Sequence, residues 1–289
     1  MTYKFLQLYD KFKHNFKENL GTKGTNLIIE QIYYECTLFL KGIDKEILNT
    51  KIPQKAYFAY KMHNNRSRAI NEALYYEDEQ VVSDFFISLN TLNWDNLTAE
   101  KITAACYKIA ISFCSCIDLI KKGDQKTPGT FFEYFIGHIF TLVFGISPRK
   151  QIEVLNMENL NSKLPTDFIF DLGLGKAKFH VPVKTSTRER VIQVWAHQRV
   201  LDGVYGTGRF IGVLACLSET KVDQSTLEVT EICLPDQWRI YQLFIAQMKR
   251  IYYLDIPDKY AELNNWYPPI HVKPLGSFFK EKDELFILN

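Results

Sequence analysis

The chain has 289 residues, 46% of them apolar and 24% charged, with a formal net charge of +2. These are ordinary globular values, and the length suits one large domain or a core with a smaller helical part. So small a net charge excludes a uniformly basic protein, and any surface for a polyanion must be local.

Cys36, Cys106, Cys114, Cys116, Cys216 and Cys233 form no CxxC pair and no Cys/His spacing suited to zinc. They read as small core residues of a reduced, cytoplasmic protein. The amphipathic, lysine-studded N-terminus lacks the apolar centre and cleavage site of a signal peptide. No uncharged apolar run approaches the roughly 18 residues needed to cross a membrane.

Residues 1–122 are expected to be mostly helical. Thr25–Lys41 and Ala99–Lys122 carry apolar residues at three- and four-residue spacing without proline, and polar breaks such as His63–Arg68 and Asn93–Asn96 separate the segments. The run Lys121–Lys126, followed by Thr127-Pro128-Gly129, marks a boundary between a helical region, 1–126, and a core, 127–289. A helix is predicted over Thr130–Phe144, apolar nearly all round and therefore buried. Glu133 is its only carboxylate. Either it needs a partner, a proton or a metal in the core, or it sits at an exposed N-terminal turn where the helix dipole favours an acid.

Strands are predicted over Gln151–Leu155, Asp167–Leu172 and Phe179–Lys184, then a helix from Thr187 to Asp202 closed by Gly203. Two more strands, Phe210–Leu217 and Leu227–Leu234, precede a helix that starts near Pro235 and runs to about Tyr253. From Asp255 onward the chain reads as an ordered wrap around the core. The order is that of an α/β protein whose mixed central sheet is flanked by helices.

The stretch Pro165–His197 concentrates the chemistry. Pairing Asp167–Leu172 with Phe179–Lys184 as a hairpin, with Asp167 opposite Lys184, sets Phe168 against Val183, Phe170 against Val181 and Leu172 against Phe179 on one apolar face. The other face carries Asp167 with Lys184, Ile169 with Pro182, and Asp171 with His180. A cross-strand ion pair on a half-exposed sheet is the plain account of Asp167 and Lys184. Pro182 donates nothing to a ladder, so the strand is either unpaired there or offset by a bulge. Beyond Lys184, the predicted helix puts Gln193 and His197 on one face, one turn after Arg190, while Val191, Val194 and Trp195 pack inward. Its first-turn amides and two arginines suit phosphate.

A glutamate in a preceding helix, Pro165-Thr166-Asp167, a hairpin, and the run Lys184-Thr185-Ser186-Thr187-Arg188-Glu189-Arg190 leading into a Gln-bearing helix resemble type II restriction endonucleases of the PD-(D/E)XK nuclease superfamily. The closer likeness is to the subgroup whose second acid is displaced to the following helix. It covers about residues 128–234. The resemblance implies the restriction-endonuclease-like core with an N-terminal helical region, and Mg²⁺-dependent attack of water on phosphodiester bonds of double-stranded DNA. The products would carry 5′-phosphates and 3′-hydroxyls, and the role would be defence against foreign DNA. Asp167 would be the central metal-binding carboxylate, Lys184 the lysine that orients or activates water, the Val183 carbonyl a further ligand, and Glu133 the acid from the preceding helix. Arg188, Arg190, Gln193, Thr185 and Ser186 would contact DNA. Palindromic sites imply a homodimer, with residues 1–126 serving as dimer contact, DNA wrap or both.

Two positions depart from the family pattern. Pro182 stands where the acid two residues before the lysine belongs, and His197 stands where the displaced glutamate is expected. The replacement is His197 or Gln193 through water, or else Glu189, and the number of metal ions stays open. A structure-selective repair or recombination nuclease, and a non-catalytic DNA-binding protein of the same fold, are the other readings.

Overall fold

The computed structural model describes residues 3–18, 21–76, 78, 80–157 and 160–286. Helices α1 (Lys4–Glu18) and α2 (Lys23–Lys41) lead into strands β1 (Asp44–Thr50), β2 (Tyr57–Met62), β3 (Asn65–Arg66) and β4 (Ile70–Asn71). Next come α3 (Glu72–Tyr75), α4 (Val81–Thr91), α5 (Ala99–Ile120) and α6 (Lys126–Phe144). Strands β5 (Arg149–Met157), β6 (Leu160–Asp171), β7 (Lys178–His180) and β8 (Val183–Lys184) follow, then a 3-10 turn at Arg188–Arg190 and α7 (Val191–Tyr205). The remainder is β9 (Phe210–Cys216), β10 (Thr220–Val222), β11 (Glu228–Glu231), α8 (Pro235–Phe244), β12 (Arg250–Tyr253), α9 (Asp258–Ala261), β13 (Val272–Pro274) and α10 (Ser277–Phe286).

The larger sheet has the order β13-β12-β9-β7-β6-β5, with β8 also paired to β9. It is mixed: β7, β8 and β12 run parallel to β9, while β5, β6 and β7 alternate. Both faces are covered, so its central strands are apolar on both sides. In β9, Val213 and Ala215 join the core that includes Phe131 and Phe135 of α6, while Leu214 and Cys216 meet Val194 and Trp195 of α7 and Trp238 of α8. The expected mixed sheet flanked by helices is the one observed. Helix α5 is long and apolar enough to cross a membrane, yet 94% of its apolar window is buried inside the fold, where it serves as a core helix.

Several expectations need correction. Residues 1–122 are rich in helix, but they also hold β1 to β4, which join β10 and β11 in a second sheet. Strand β1 pairs in parallel with β11, Asn49 with Glu228, so its partner is far off in sequence and leaves no local signal. The Thr127-Pro128-Gly129 break is the first turn of α6. Pro128 is tolerated there because its missing N–H has no helical partner, and Asp124 accepts a hydrogen bond from the Thr127 N–H at 2.9 Å. Glu133 therefore lies in the third turn of α6 and not in its first. Helix α7 runs past Gly203 and ends before Gly206, whose φ is +98°. Helix α8 stops at Phe244, and residues 250–253 form a central strand. The Gln242 side chain closes the intervening turn, accepting from the Met248 N–H at 3.0 Å and donating to the Met248 carbonyl at 3.1 Å. The C-terminal wrap contains β13 on the sheet edge and α10, whose Phe278 packs in the main core.

The central hairpin has a shifted register. Ile169 lies opposite His180, Phe170 opposite Phe179 and Asp171 opposite Lys178, two residues from the expected pairing. A two-residue shift keeps each side chain on its face, so the apolar sorting survives. The ladder runs on to the Val181 N–H, which donates to the Phe168 carbonyl at 2.9 Å. Pro182 then ends it, and Val183 and Lys184 pair with Ala215 and Cys216 of β9.

Gly137 of α6 faces Phe168, the neighbour of Asp167: a Cβ there would lie 2.5 Å from the phenyl ring. Gly137→Ala should therefore cost about 1–3 kcal/mol by overpacking, read as a lowered Tm. An unchanged Tm would mean the ring has room to turn aside.

Candidate active site

Three elements converge where β6 and β8 diverge. Strand alternation turns Phe168 and Phe170 toward α6, so Asp167 and Ile169 face the α7 side, where Ile169 packs with Leu201. Asp167 Oδ2 accepts a hydrogen bond from Lys184 Nζ at 2.7 Å and from the Val183 N–H at 2.8 Å. Both side chains are about a quarter exposed, which leaves the pair open to solvent on one side. The Pro182 and Lys184 carbonyls bond to β9, so Val183 turns its own N–H and C=O to the Asp167 side. Among the described residues, no hydrogen bond reaches the Val183 carbonyl or Asp167 Oδ1.

His197 of α7 and His180 of β7 complete the cluster, with ring centroids 6.3 Å apart. Burial holds the His197 imidazole below its ordinary pKa; the Lys184 charge acts in the same direction and Asp167 opposes it. Burial pushes His180 down to about 4. Gln198 donates its amide hydrogens to the Phe210 carbonyl at 2.9 Å and to Asp202 at 3.1 Å. Its oxygen is left to accept from His180 Nδ1 at 3.1 Å. The resulting tautomer makes His180 Nε2 an acceptor, and that atom is buried with no partner among the described residues. The sequence placed His180 on the polar face of the hairpin but gave no sign of this chain to Gln198 and Asp202.

The loop after Lys184 is anchored by Glu219, a buried residue the sequence reading missed. Glu219 accepts from Ser186 Oγ at 2.6 Å, the Thr187 N–H at 2.8 Å, Thr187 Oγ1 at 2.5 Å and Tyr253 OH at 2.7 Å. Ser186 is thus engaged inward, while Thr185 stays half-exposed. Arg188, Arg190 and Gln193 are exposed. Arg188 has a φ of +34° and donates to the Thr220 carbonyl at 3.1 Å. The Glu189 side chain lies outside the described residues.

Glu133 forms an ion pair with Lys150 of β5 at 2.6 Å, and the lysine also lies over the Phe168 ring. No hydrogen bond or ion pair joins Glu133 to Asp167 among the described residues. Nor do those residues contain a group of three or more His, Cys, Asp or Glu arranged to hold a metal ion. The structure therefore brings together Asp167, Lys184, Val183 and His197, adds His180, and keeps Glu133 on Lys150.

No protein-family model matches the sequence, and no curated protein matches it. Among solved structures, the type IIP restriction endonuclease Kpn2I is 24% identical, with a TM-score of 0.81 over 99% of this chain and 98% of that one. The restriction endonuclease PspGI, solved in complex with substrate DNA, is 14% identical with a TM-score of 0.40 over 71% of this chain and 91% of that one. The likeness to Kpn2I spans the small sheet and N-terminal helices as well as the central sheet, and the chain has the fold of that restriction endonuclease.

Proposed function

We propose that the chain is a type II restriction endonuclease that hydrolyses phosphodiester bonds of double-stranded DNA at a specific sequence. In this reading it uses Mg²⁺, leaves 5′-phosphates and 3′-hydroxyls, acts as a homodimer on a palindromic site, and serves defence against foreign DNA. The observation that carries the reading is the Asp167 carboxylate held by Lys184 and Val183 at an open strand end, on a fold shared with Kpn2I.

The donor set suits a hard cation. Among the described residues, Asp167 Oδ1 and the Val183 carbonyl accept no hydrogen bond, and Mg²⁺ takes few protein ligands, completing its shell with water and substrate phosphate. Once bound, the ion would make its water more acidic and offset charge on the phosphate. Lys184 keeps its ammonium beside that carboxylate, adding positive charge where the phosphorane forms. His197, its basicity lowered by burial, lies near the same pair, and in this reading it takes the place of the displaced acid. Glu133 would join this set by exchanging Lys150 for the metal or its water shell.

Incubating supercoiled plasmids with the protein, in Mg²⁺ and in EDTA, tests the reading. Discrete Mg²⁺-dependent fragments are expected. A smear, or cutting confined to branched DNA, would favour a structure-selective nuclease. Binding without any cutting would favour a DNA-binding protein of the same fold, a reading the Glu133–Lys150 pair and Pro182 support.

A further inference from the structure

One feature outside the catalytic cluster points to a ligand: a cleft of about 800 Å³ between the small sheet and the loop that follows Lys184. One wall starts at Thr185, the residue after Lys184, and includes Arg188 and Lys221 of β10. The β2–β3 turn and Lys122, just past α5, also line it.

The lining is basic once its internal pairs are removed. The Asp118 carboxylate is spent on Arg68, which grips it through Nε at 2.8 Å and a terminal nitrogen at 2.9 Å. Glu46 occupies Arg66 at 2.6 Å and Lys61 at 3.4 Å. Lys122 and Lys221 are exposed and have no ion pair among the described residues. The tip of the β2–β3 turn, His63-Asn64, connects the paired residues Met62 and Asn65. His63 sits at φ +54°, a strained choice for a residue with a side chain, and both tip side chains are exposed on the cleft. Two exposed lysines in a cleft of this size suit a chain of phosphates better than one small anion, and an amide at the turn suits base edges.

We propose that this cleft holds the DNA backbone beside the scissile phosphate, with Lys122 and Lys221 on phosphates and the His63–Asn64 turn at the groove. The inference rests on the nuclease reading and adds a second wall to its DNA site, built by a part of the chain that lies outside the catalytic hairpin.

The test compares wild type, the double variant Lys122→Ala/Lys221→Ala, and Lys176→Ala, which removes an exposed charge outside the cleft. Binding to a mixed-sequence pool of duplexes about 40 base pairs long is measured in EDTA from roughly 50 to 300 mM KCl. Two lost phosphate contacts should lower the slope of log K against log salt by about 1.8 and weaken binding roughly 60-fold near 0.1 M salt. The cleavage rate of saturated wild-type and double-variant enzyme should match, so that KM changes and kcat does not. A double variant with the wild-type slope, or a Lys176→Ala variant equally impaired, would overturn the proposal while leaving the nuclease reading intact. Wild-type protein that neither binds nor cuts DNA would overturn both.

Discussion

Replacing Asp167 with alanine is expected to slow single-turnover DNA cleavage by ~10³-fold or more while leaving DNA binding and Tm near wild type. The large loss follows from position. Among the described residues, Asp167 is the carboxylate that bonds to both Lys184 and Val183. Lys184→Ala should produce a comparable loss, because the ammonium beside the Asp167 carboxylate is removed from where charge develops. Neither change should unfold the protein. The pair is about a quarter exposed, and ion pairs open to solvent contribute at most about 1 kcal/mol. Plasmid cleavage in Mg²⁺, DNA binding in EDTA and a thermal melt together read all three quantities. Wild-type rates in either variant would remove both residues from the reaction. His197→Ala sharpens the assignment: slowed cutting with intact binding places the imidazole in the reaction, whereas full activity leaves it a packing residue of α7.

Much of this site was legible because strand alternation has a short period. Asp167 and Lys184 fall on one face under either register, since the observed pairing differs from the expected one by two residues and parity is conserved. Their adjacency arises by another route, however. The Asp167 side chain bonds to the backbone of Val183 after Pro182 has ended the ladder, and β8 is held in place by β9. What stayed hidden depends on partners remote in sequence. Strand β1 needs β11, about 180 residues on, and the turn after α8 is closed by a glutamine side chain that no propensity scale marks. Glu133 shows the same limit from another side. Its helix was legible, but the Lys150 that claims its carboxylate lies on a strand whose approach only the folded chain reveals.

Glu219 is where such a remote partner matters most, and Glu219→Ala should lower stability by about 3–5 kcal/mol. The carboxylate is buried and collects four short hydrogen bonds, two of them from Thr187. Deleting it strands the buried Thr187 N–H and the hydroxyls of Thr187 and Tyr253, and each orphaned group keeps its desolvation penalty without a partner. In a chain of this length the Tm should fall by roughly 5–8 °C. Glu219→Gln keeps the shape but turns one acceptor into a donor facing donors, so it should fall between alanine and wild type. Function should suffer as well, and differently from Asp167→Ala. Glu219 fixes the segment between Lys184 and the 3-10 turn, so the variant should lose DNA affinity and cutting together at temperatures where it is still folded. A melt at the wild-type temperature for Glu219→Ala would show that Tyr253 and the Ser186–Thr187 turn find water in its place. Intact affinity with a lowered Tm would confine the residue to holding the fold.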